Sequence, residues 1–253
     1  MVNITFDGER CVRCGLCVKT CSMGHLRMTD DGPAATGRGA CMACMQCAAI
    51  CPKQAVTDGG KPAIVPVPES PIEALIMSRR SVRRYAPRTP DKETILWALQ
   101  RAGYAPSGKN QHANRWTVVY GAERVAAVRE TALRHCEQTG EAPELVRFAA
   151  KGLDLLTCGA PVIIIAWSPE ECLNPTVDAA IAMETAELLL VSRGLGTCWG
   201  GYLRQITDHC PELKAMLGIP DGCEMRGCLM VGYPDGAKFS NIPTRPQPDI
   251  FWA

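Results

Sequence analysis

From residue 72 onward the apolar positions fall into helical and strand periods. IEALIMSRR (72–80) and PDKETILWALQRAG (90–103) each put their apolar residues on one helical face. The second opens with Thr89, Pro90 and an acidic first turn, which is the chemistry of a helix start. AERVAAVRETALRHCEQ (122–138) and PELVRFAAKGLDLL (143–156) predict two more helices. DAAIAMETAELLLVSRG (178–194) is apolar nearly all round, which places that helix centrally. WTVVY (116–120), PVIIIAW (161–167) and EMRGCLMVGYP (224–234) predict strands, the middle one buried on both faces. Residues 72–253 therefore predict one α+β domain, a mixed sheet surrounded by long helices.

The N-terminal part carries a repeat instead. CVRCGLCVKTC (Cys11, Cys14, Cys17, Cys21) recurs as CMACMQCAAIC (Cys41, Cys44, Cys47, Cys51), every cysteine thirty positions after its counterpart. Two copies of so short a motif cannot bury a core alone, so an inorganic group is expected to hold them. KPAIVPVPESP (61–71) follows, with four prolines in eleven residues. That composition disfavours helix and predicts an extended linker between a domain at 1–60 and one at 72–253.

Composition narrows the classes of partner. The 253 residues are 47% apolar and 21% charged, with a formal net charge of +1. Nothing in that balance asks for nucleic acid or an anionic membrane. The longest apolar run, 160–167, is too short to span a bilayer, and MVNITFDGERC has no apolar segment of the secretory kind. The 15 cysteines are the anomaly. In a chain of this length without a secretory start they predict metal ligation in a reducing, cytoplasmic setting rather than a disulfide framework. Eight lie within residues 11–51. The other seven, among them Cys136, Cys158, Cys198 and Cys228, read as small buried apolar residues.

Three cysteines at successive two-residue gaps can wrap three corners of an iron–sulfur cubane, while the fourth, three residues later, ligates the other cluster. On that scheme Cys11, Cys14, Cys17 and Cys51 hold one 4Fe–4S cluster, and Cys41, Cys44, Cys47 and Cys21 hold a second. Pro52 closes the second run in the usual way, whereas Ser22 follows Cys21. Structural zinc also uses paired C-x2-C units, but a doubled run of three suits it poorly. The segment resembles a bacterial-type two-cluster ferredoxin domain. That likeness implies electron transfer.

Behind it there is neither a dinucleotide fingerprint nor a phosphate loop. Three other constellations stand out. RRSVRRY (79–85) offers four arginines that can fork onto a phosphate. YAPSGKNQ (104–111) makes a tight turn whose amides can face a ligand, and GLGTCWGGY (194–202) lets backbone approach a flat ring. A basic turn, a connector and a helix cap are the plain readings of the three taken singly. In this order, with PVIIIAW and the tail KFSNIPTRP, they resemble the nitroreductase family of FMN enzymes, in its ferredoxin-fused branch. The resemblance implies that Arg79, Arg80, Ser81 and Arg83 grip the FMN phosphate and ribityl chain, with Arg245 and Lys238 as further phosphate ligands. It places Ser107 and Asn110 along the flavin, and the amides of Gly200 and Gly201 at its N5 edge. QHANR (111–115) departs from the commonest pattern of the family. The resemblance also implies a homodimer whose tail, from residue 238, wraps the partner.

The expected activity is an FMN-dependent reductase, fed by a reduced ferredoxin or flavodoxin-type donor and passing electrons to a small conjugated acceptor such as a nitroaromatic, quinone or enone. Clusters move single electrons and a flavin converts them to pairs. The alternative is an electron-transfer or flavin-binding subunit without a substrate of its own. No catalytic triad or carboxylate pair is visible, and the four histidines, His112 included, read as structural or solvent-facing.

Overall fold

The computed structural model describes residues 3–37, 41–236 and 239–253. The chain divides into two compact units, one comprising 1–80 with 236–253 and the other 81–235. Among the described residues, no helix is long and apolar enough to cross a membrane.

In unit one the chain runs β1 (Ile4–Phe6), α1 (Leu16–Thr20), β2 (Leu26–Thr29), β3 (Gly32–Ala35), α2 (Gln46–Ile50), β4 (Val56–Asp58), β5 (Lys61–Pro62), β6 (Ile64–Val65) and α3 (Pro71–Ser78). The sequence repeat is also a backbone repeat. α1 and α2 begin thirty residues apart, after Gly15 (φ 74°) and Met45 (φ 58°), and end at Cys21 and Cys51 with φ −72° and −70°. Further left-handed residues repeat at the same offset: Arg13 (55°) with Ala43 (52°), and Gly24 (59°) with Gln54 (52°). Non-glycine residues hold that region only where surroundings over-determine them, which marks the loops as functional. β1 pairs with β4 and β2 with β3, both antiparallel, tying the two halves together. The proline-rich 61–71 segment lies within unit one and is hydrogen-bonded, β5 pairing with β4, and Pro71 opens α3. Ser70 caps α3 by accepting from the Glu73 amide at 3.4 Å, with Pro71 in the first turn.

Unit two continues with α4 (Lys92–Ala102), β7 (Arg115–Tyr120), α5 (Ala122–Thr139), α6 (Pro143–Ala149), β8 (Val162–Pro169), α7 (Pro175–Ser192), β9 (Gly196–Trp199), α8 (Gly201–His209), α9 (Pro211–Met216) and β10 (Cys223–Gly232). Its sheet has the order β7-β8-β10-β9, with antiparallel ladders. An isolated parallel bridge from Ser81 to Thr197 makes the sheet mixed at the β9 side. β8 is central, and Val162 to Ala166 are fully buried. Strand alternation splits them between two layers: Ile163 and Ile165 pack with α5, α8 and α9, while Val162, Ile164 and Ala166 pack with α4 and α7. The helix expected over 143–156 stops at Ala149, and Gly152 follows at φ 74°. β9, α8 and α9 have no counterpart in the sequence reading.

The last strand, β11 (Ile242–Pro243), belongs to unit one and pairs with β6. Beside it, Asn241 Nδ2 donates to the carbonyls of Ala48, Ala49 and Cys51 at 3.2, 3.3 and 2.7 Å. These are carbonyls at the C-terminal end of α2, which a short helix leaves without internal partners. The tail therefore caps the second cysteine run.

Candidate functional site

Two cavities open in unit one. Cys11, Cys14, Cys17 and Cys51 line the first, together with apolar groups such as Phe6 and Val56. Cys21, Cys41, Cys44 and Cys47 line the second, with Ile4 and Leu26 among their neighbours. Each cavity thus gathers three cysteines from one run and the last cysteine from the other, because α1 and α2 lie side by side and each delivers its C-terminal cysteine across. The thiols ring a space rather than meet at a point: among the described residues no three Cys, His, Asp or Glu side chains form a single-ion site.

The electrostatics suit a multi-iron group. Burial pushes the Cys17 thiol up to about 11, against the Val18 amide, with the neighbouring Cys51, Cys11 and Cys14 adding to the rise. Burial likewise pushes Cys47 up to about 12, with Cys44 the next contributor. Sulfur ligands bind as thiolates, so the protons must leave as iron enters, and the cation supplies the missing stabilisation. Amides are already turned toward sulfur: the Ala55 N–H donates to Cys51 Sγ at 3.2 Å. Residues 13, 15, 43 and 45 take left-handed φ, the conformation from which anion-binding backbone concavities are built.

The arginine motif is divided between the units. Arg79 and Arg80 close unit one, and Ser81 opens unit two. Arg80 is 7% exposed, yet its Nε and Nη2 have no hydrogen-bond partner; Nη1 donates to the Arg79 carbonyl at 2.5 Å. Burial, then the charges of Arg245 and Arg79, pull its pKa down to about 10. It remains a cation at neutral pH, buried among cations. In unit two, Arg83 Nη1 is also buried without a partner. Unsatisfied buried guanidinium nitrogens are costly, and a phosphate is the group whose geometry they match. Taken within its own unit, each of these arginines carries nitrogens that fit a phosphorylated cofactor. Lys238 lies outside the described residues.

Within unit two the first and third constellations meet. The Val82 N–H donates to Thr197 O at 2.7 Å, and the Tyr85 hydroxyl donates to Val82 O at 2.7 Å, fixing the turn after Ser81 against β9. β9 leads into Gly200 and Gly201. A Cβ on Gly200 would sit 2.8 Å from Cys228 Sγ, whereas one on Gly201 would meet nothing within 4 Å. The Gly200 amide, expected at a flavin edge, instead donates to the Cys228 carbonyl at 2.8 Å because Gly200 packs on Cys228, so the open backbone face is at Gly201 alone.

Two buried carboxylates, which the sequence reading passed over, hold this frame. Glu187, 0% exposed, accepts from Thr197 Oγ1 and Trp199 Nε1, both at 2.7 Å. Asp178 accepts from the Gly108 amide through Oδ1 and Oδ2 at 3.0 and 3.1 Å. Both carboxylates are on α7, nine residues apart, which is about 13 Å of helix. α7 therefore fixes the spacing between the Ser107 turn and the β9 edge. The turn itself is strained: Lys109, Asn110 and His112 have φ of 49°, 57° and 45°. Ser107 Oγ accepts from the His112 amide at 2.9 Å, and Asn110 Oδ1 bonds His112 Nε2 at 2.8 Å. An acid inside an apolar helix was the signal available for Glu187. Glu187→Ala is expected to cost about 3 kcal/mol, by leaving a buried hydroxyl and an indole N–H without their acceptor. Urea denaturation of the flavin-free protein checks this, and a loss below about 1 kcal/mol would remove Glu187 from the frame.

The comparisons with known proteins agree with this geometry. The profile of the nitroreductase family matches residues 76–233, well over half of the chain. The chain belongs to the nitroreductase family. A 4Fe-4S dicluster domain matches residues 10–56, so this member carries an iron–sulfur domain ahead of its oxidoreductase domain. A protein of Archaeoglobus fulgidus, named provisionally as an NADH dehydrogenase/NAD(P)H nitroreductase, is 26% identical over 181 residues, 69% of this chain and 92% of its own length. A nitroreductase of Desulfitobacterium hafniense, solved with bound FMN, has a TM-score of 0.62 at 24% identity, covering 74% of this chain and all of that one. An iodotyrosine deiodinase solved with FMN and 3-iodo-L-tyrosine has a TM-score of 0.54 at 21% identity, covering 72% of this chain and 97% of that one. These likenesses extend to the fold.

Proposed function

We propose that this chain is an FMN-dependent reductase whose residues 1–60 carry two 4Fe–4S clusters, whose residues 61–71 link them onward, and whose residues 72–253 bind FMN and a small conjugated acceptor of the nitroaromatic, quinone or enone type. What supports the reading most is the pairing, in one nitroreductase-family chain, of two thiol-lined cavities with buried arginine nitrogens that lack partners.

Each cysteine set supplies four thiolates to one cubane. Arg79, Arg80, Ser81, Arg83 and Arg245, with Lys238, hold the phosphate end of FMN by charge-assisted bonds. Ser107 and Asn110 would border the ring, and the open face at Gly201 would receive its N5 edge, while the Gly200 N–H is taken by the Cys228 carbonyl at 2.8 Å. The flavin supplies the conversion of single electrons into a pair. The protein contributes position: the bonds of Glu187 and Asp178 keep the ring's two borders at fixed spacing, and Tyr85 holds the arginine turn. The cysteine clusters give the chain a one-electron inlet, so a reduced ferredoxin or flavodoxin-type protein in the cytoplasm is the donor.

A homodimer belongs to the same reading. Phe251 and Trp252 are 90% and 86% exposed, and a second copy offers that apolar tail a cover.

Anaerobic turnover with ferredoxin-type reductant and a panel of nitroaromatics, quinones and enones tests the activity. Saturable dependence on one acceptor is expected; none across the panel would point to a carrier subunit instead. Arg83→Ala is expected to weaken FMN binding about tenfold with iron unchanged. Equal loss of iron would mean that Arg83 serves the cluster domain.

A further inference from the structure

Unit two holds a cavity that takes no part in the proposed reaction. It measures about 290 Å³, at the lower end of the range of small-molecule sites, about 300–1,000 Å³. α5 and α6 form two of its walls and residues 152–156 the third. Five leucines, Leu133, Leu145, Leu153, Leu155 and Leu156, line it together with Ala149. Leu145 and Leu156 are buried, whereas Leu153 stands half in water. The charged residues of the lining are Arg129, Glu130 and Asp154.

The third wall is held in place by its own hydrogen bonds. At the end of α6 the Gly152 N–H donates to Ala149 O at 2.8 Å, and Gly152, at φ 74°, turns the chain back. Asp154 fixes the return. Its Oδ1 accepts from the Leu156 and Thr157 amides at 3.0 and 2.9 Å, and its Oδ2 accepts from the Gly159 amide at 2.9 Å and from the Thr157 hydroxyl. Those four donors fill the carboxylate. Arg129 Nη1 lies 3.8 Å from Asp154 Oδ2, and Arg129 Nη2 lies 3.8 Å from Glu130 Oε1, both beyond hydrogen-bond reach. Among the described residues Arg129 makes no hydrogen bond, so its N–H donors are unspent. The Glu130 side chain is 68% exposed and can turn to water.

The cavity therefore pairs an apolar floor with a guanidinium whose fork is open. A pure hydrocarbon would leave that fork unmatched, and an ammonium would meet it as a like charge. A carboxylate fits it, with an apolar body on the leucines. We infer that this cavity binds a small amphipathic monocarboxylate, of the medium-chain fatty acid class, whose carboxylate pairs with Arg129. None of the flavin-site candidates lines it, so the site stands or falls independently of the FMN proposal.

The test is isothermal titration calorimetry of the full chain with octanoate, using 1-octanol and octylamine as head-group controls. Octanoate should saturate about one site per chain and bind at least about tenfold more tightly than octanol, equally well with and without FMN. Arg129→Gln should weaken octanoate at least about tenfold and leave octanol unchanged. Ala149→Phe, which places a ring in the cavity, should abolish the binding of both. Thermal melts without ligand show whether each variant has folded, and Arg129→Gln, at the rim, decides alone if Ala149→Phe has not. The absence of saturable octanoate binding would overturn the inference, as would tighter binding of octylamine. So would octanoate binding that survives in folded Ala149→Phe, or that FMN displaces, since either places the ligand elsewhere.

Discussion

Replacing Cys47 by alanine is expected to take the iron content from about eight atoms per chain to about four, and to slow electron delivery to the flavin at least about a hundredfold. Cys47 lines the second cavity together with Cys21, Cys41 and Cys44, and burial beside neighbouring thiols pushes its pKa up to about 12. A thiol in that position is stabilised as thiolate only by a cation, so its removal leaves one corner of a cubane without a ligand. Iron and sulfide analysis with EPR of the reduced protein reads the result. Cys228→Ala is the control: Cys228 is fully buried in the core of unit two, and burial drives its thiol pKa far up, so iron should stay at about eight. Unchanged iron in Cys47→Ala would break the ligand assignment.

Arg80→Ala is expected to raise the FMN dissociation constant about a hundredfold. Two guanidinium nitrogens are available, and charge-assisted bonds at about 1.5 kcal/mol each give that factor. The sign on stability separates a ligand site from a structural arginine. Without flavin, Arg80 is a buried cation on which the cations Arg245 and Arg79 act more strongly than the Cys44 sulfur, so its removal should leave the flavin-free thermal midpoint unchanged or higher. FMN, which raises the midpoint of the parent protein by binding the folded state, should lose most of that effect in the variant. Arg80→Lys should rescue only in part, because an ammonium cannot make the fork. A flavin-free variant that melts well below the parent would instead make Arg80 a structural residue.

The cluster unit was readable because its information is local. Ligand spacing within a run, and the thirty-residue offset between runs, determine which thiols can meet. The backbone repeats that offset at Arg13 and Ala43, at Gly15 and Met45, and at Cys21 and Cys51. β8 was readable for a similar reason, since Val162 to Ala166 form a short, β-branched apolar run of the kind a strand buried on both faces uses. The missing pieces depend on partners distant in sequence. Gly196–Trp199 is glycine-rich and short, and becomes a strand through pairing with β10 and the bridge to Ser81. Glu187 reads as one acid in an apolar helix until Thr197 and Trp199 are brought to it. Asn241 looks like an ordinary tail residue, but it caps a helix 190 positions earlier. Of the flavin-site candidates, the arginines were legible as a cluster of charge. That two of them would be left with buried nitrogens lacking partners is a property of packing, which spacing does not carry.

The most direct test of the account is a cofactor inventory with single-turnover kinetics on protein purified without oxygen. The account predicts about eight irons, about eight sulfides and about one FMN per chain, with reduced clusters losing their electrons as the flavin is bleached, before any acceptor is added. A colourless protein, or one in which reduced clusters and oxidised flavin coexist without exchanging electrons, would contradict it.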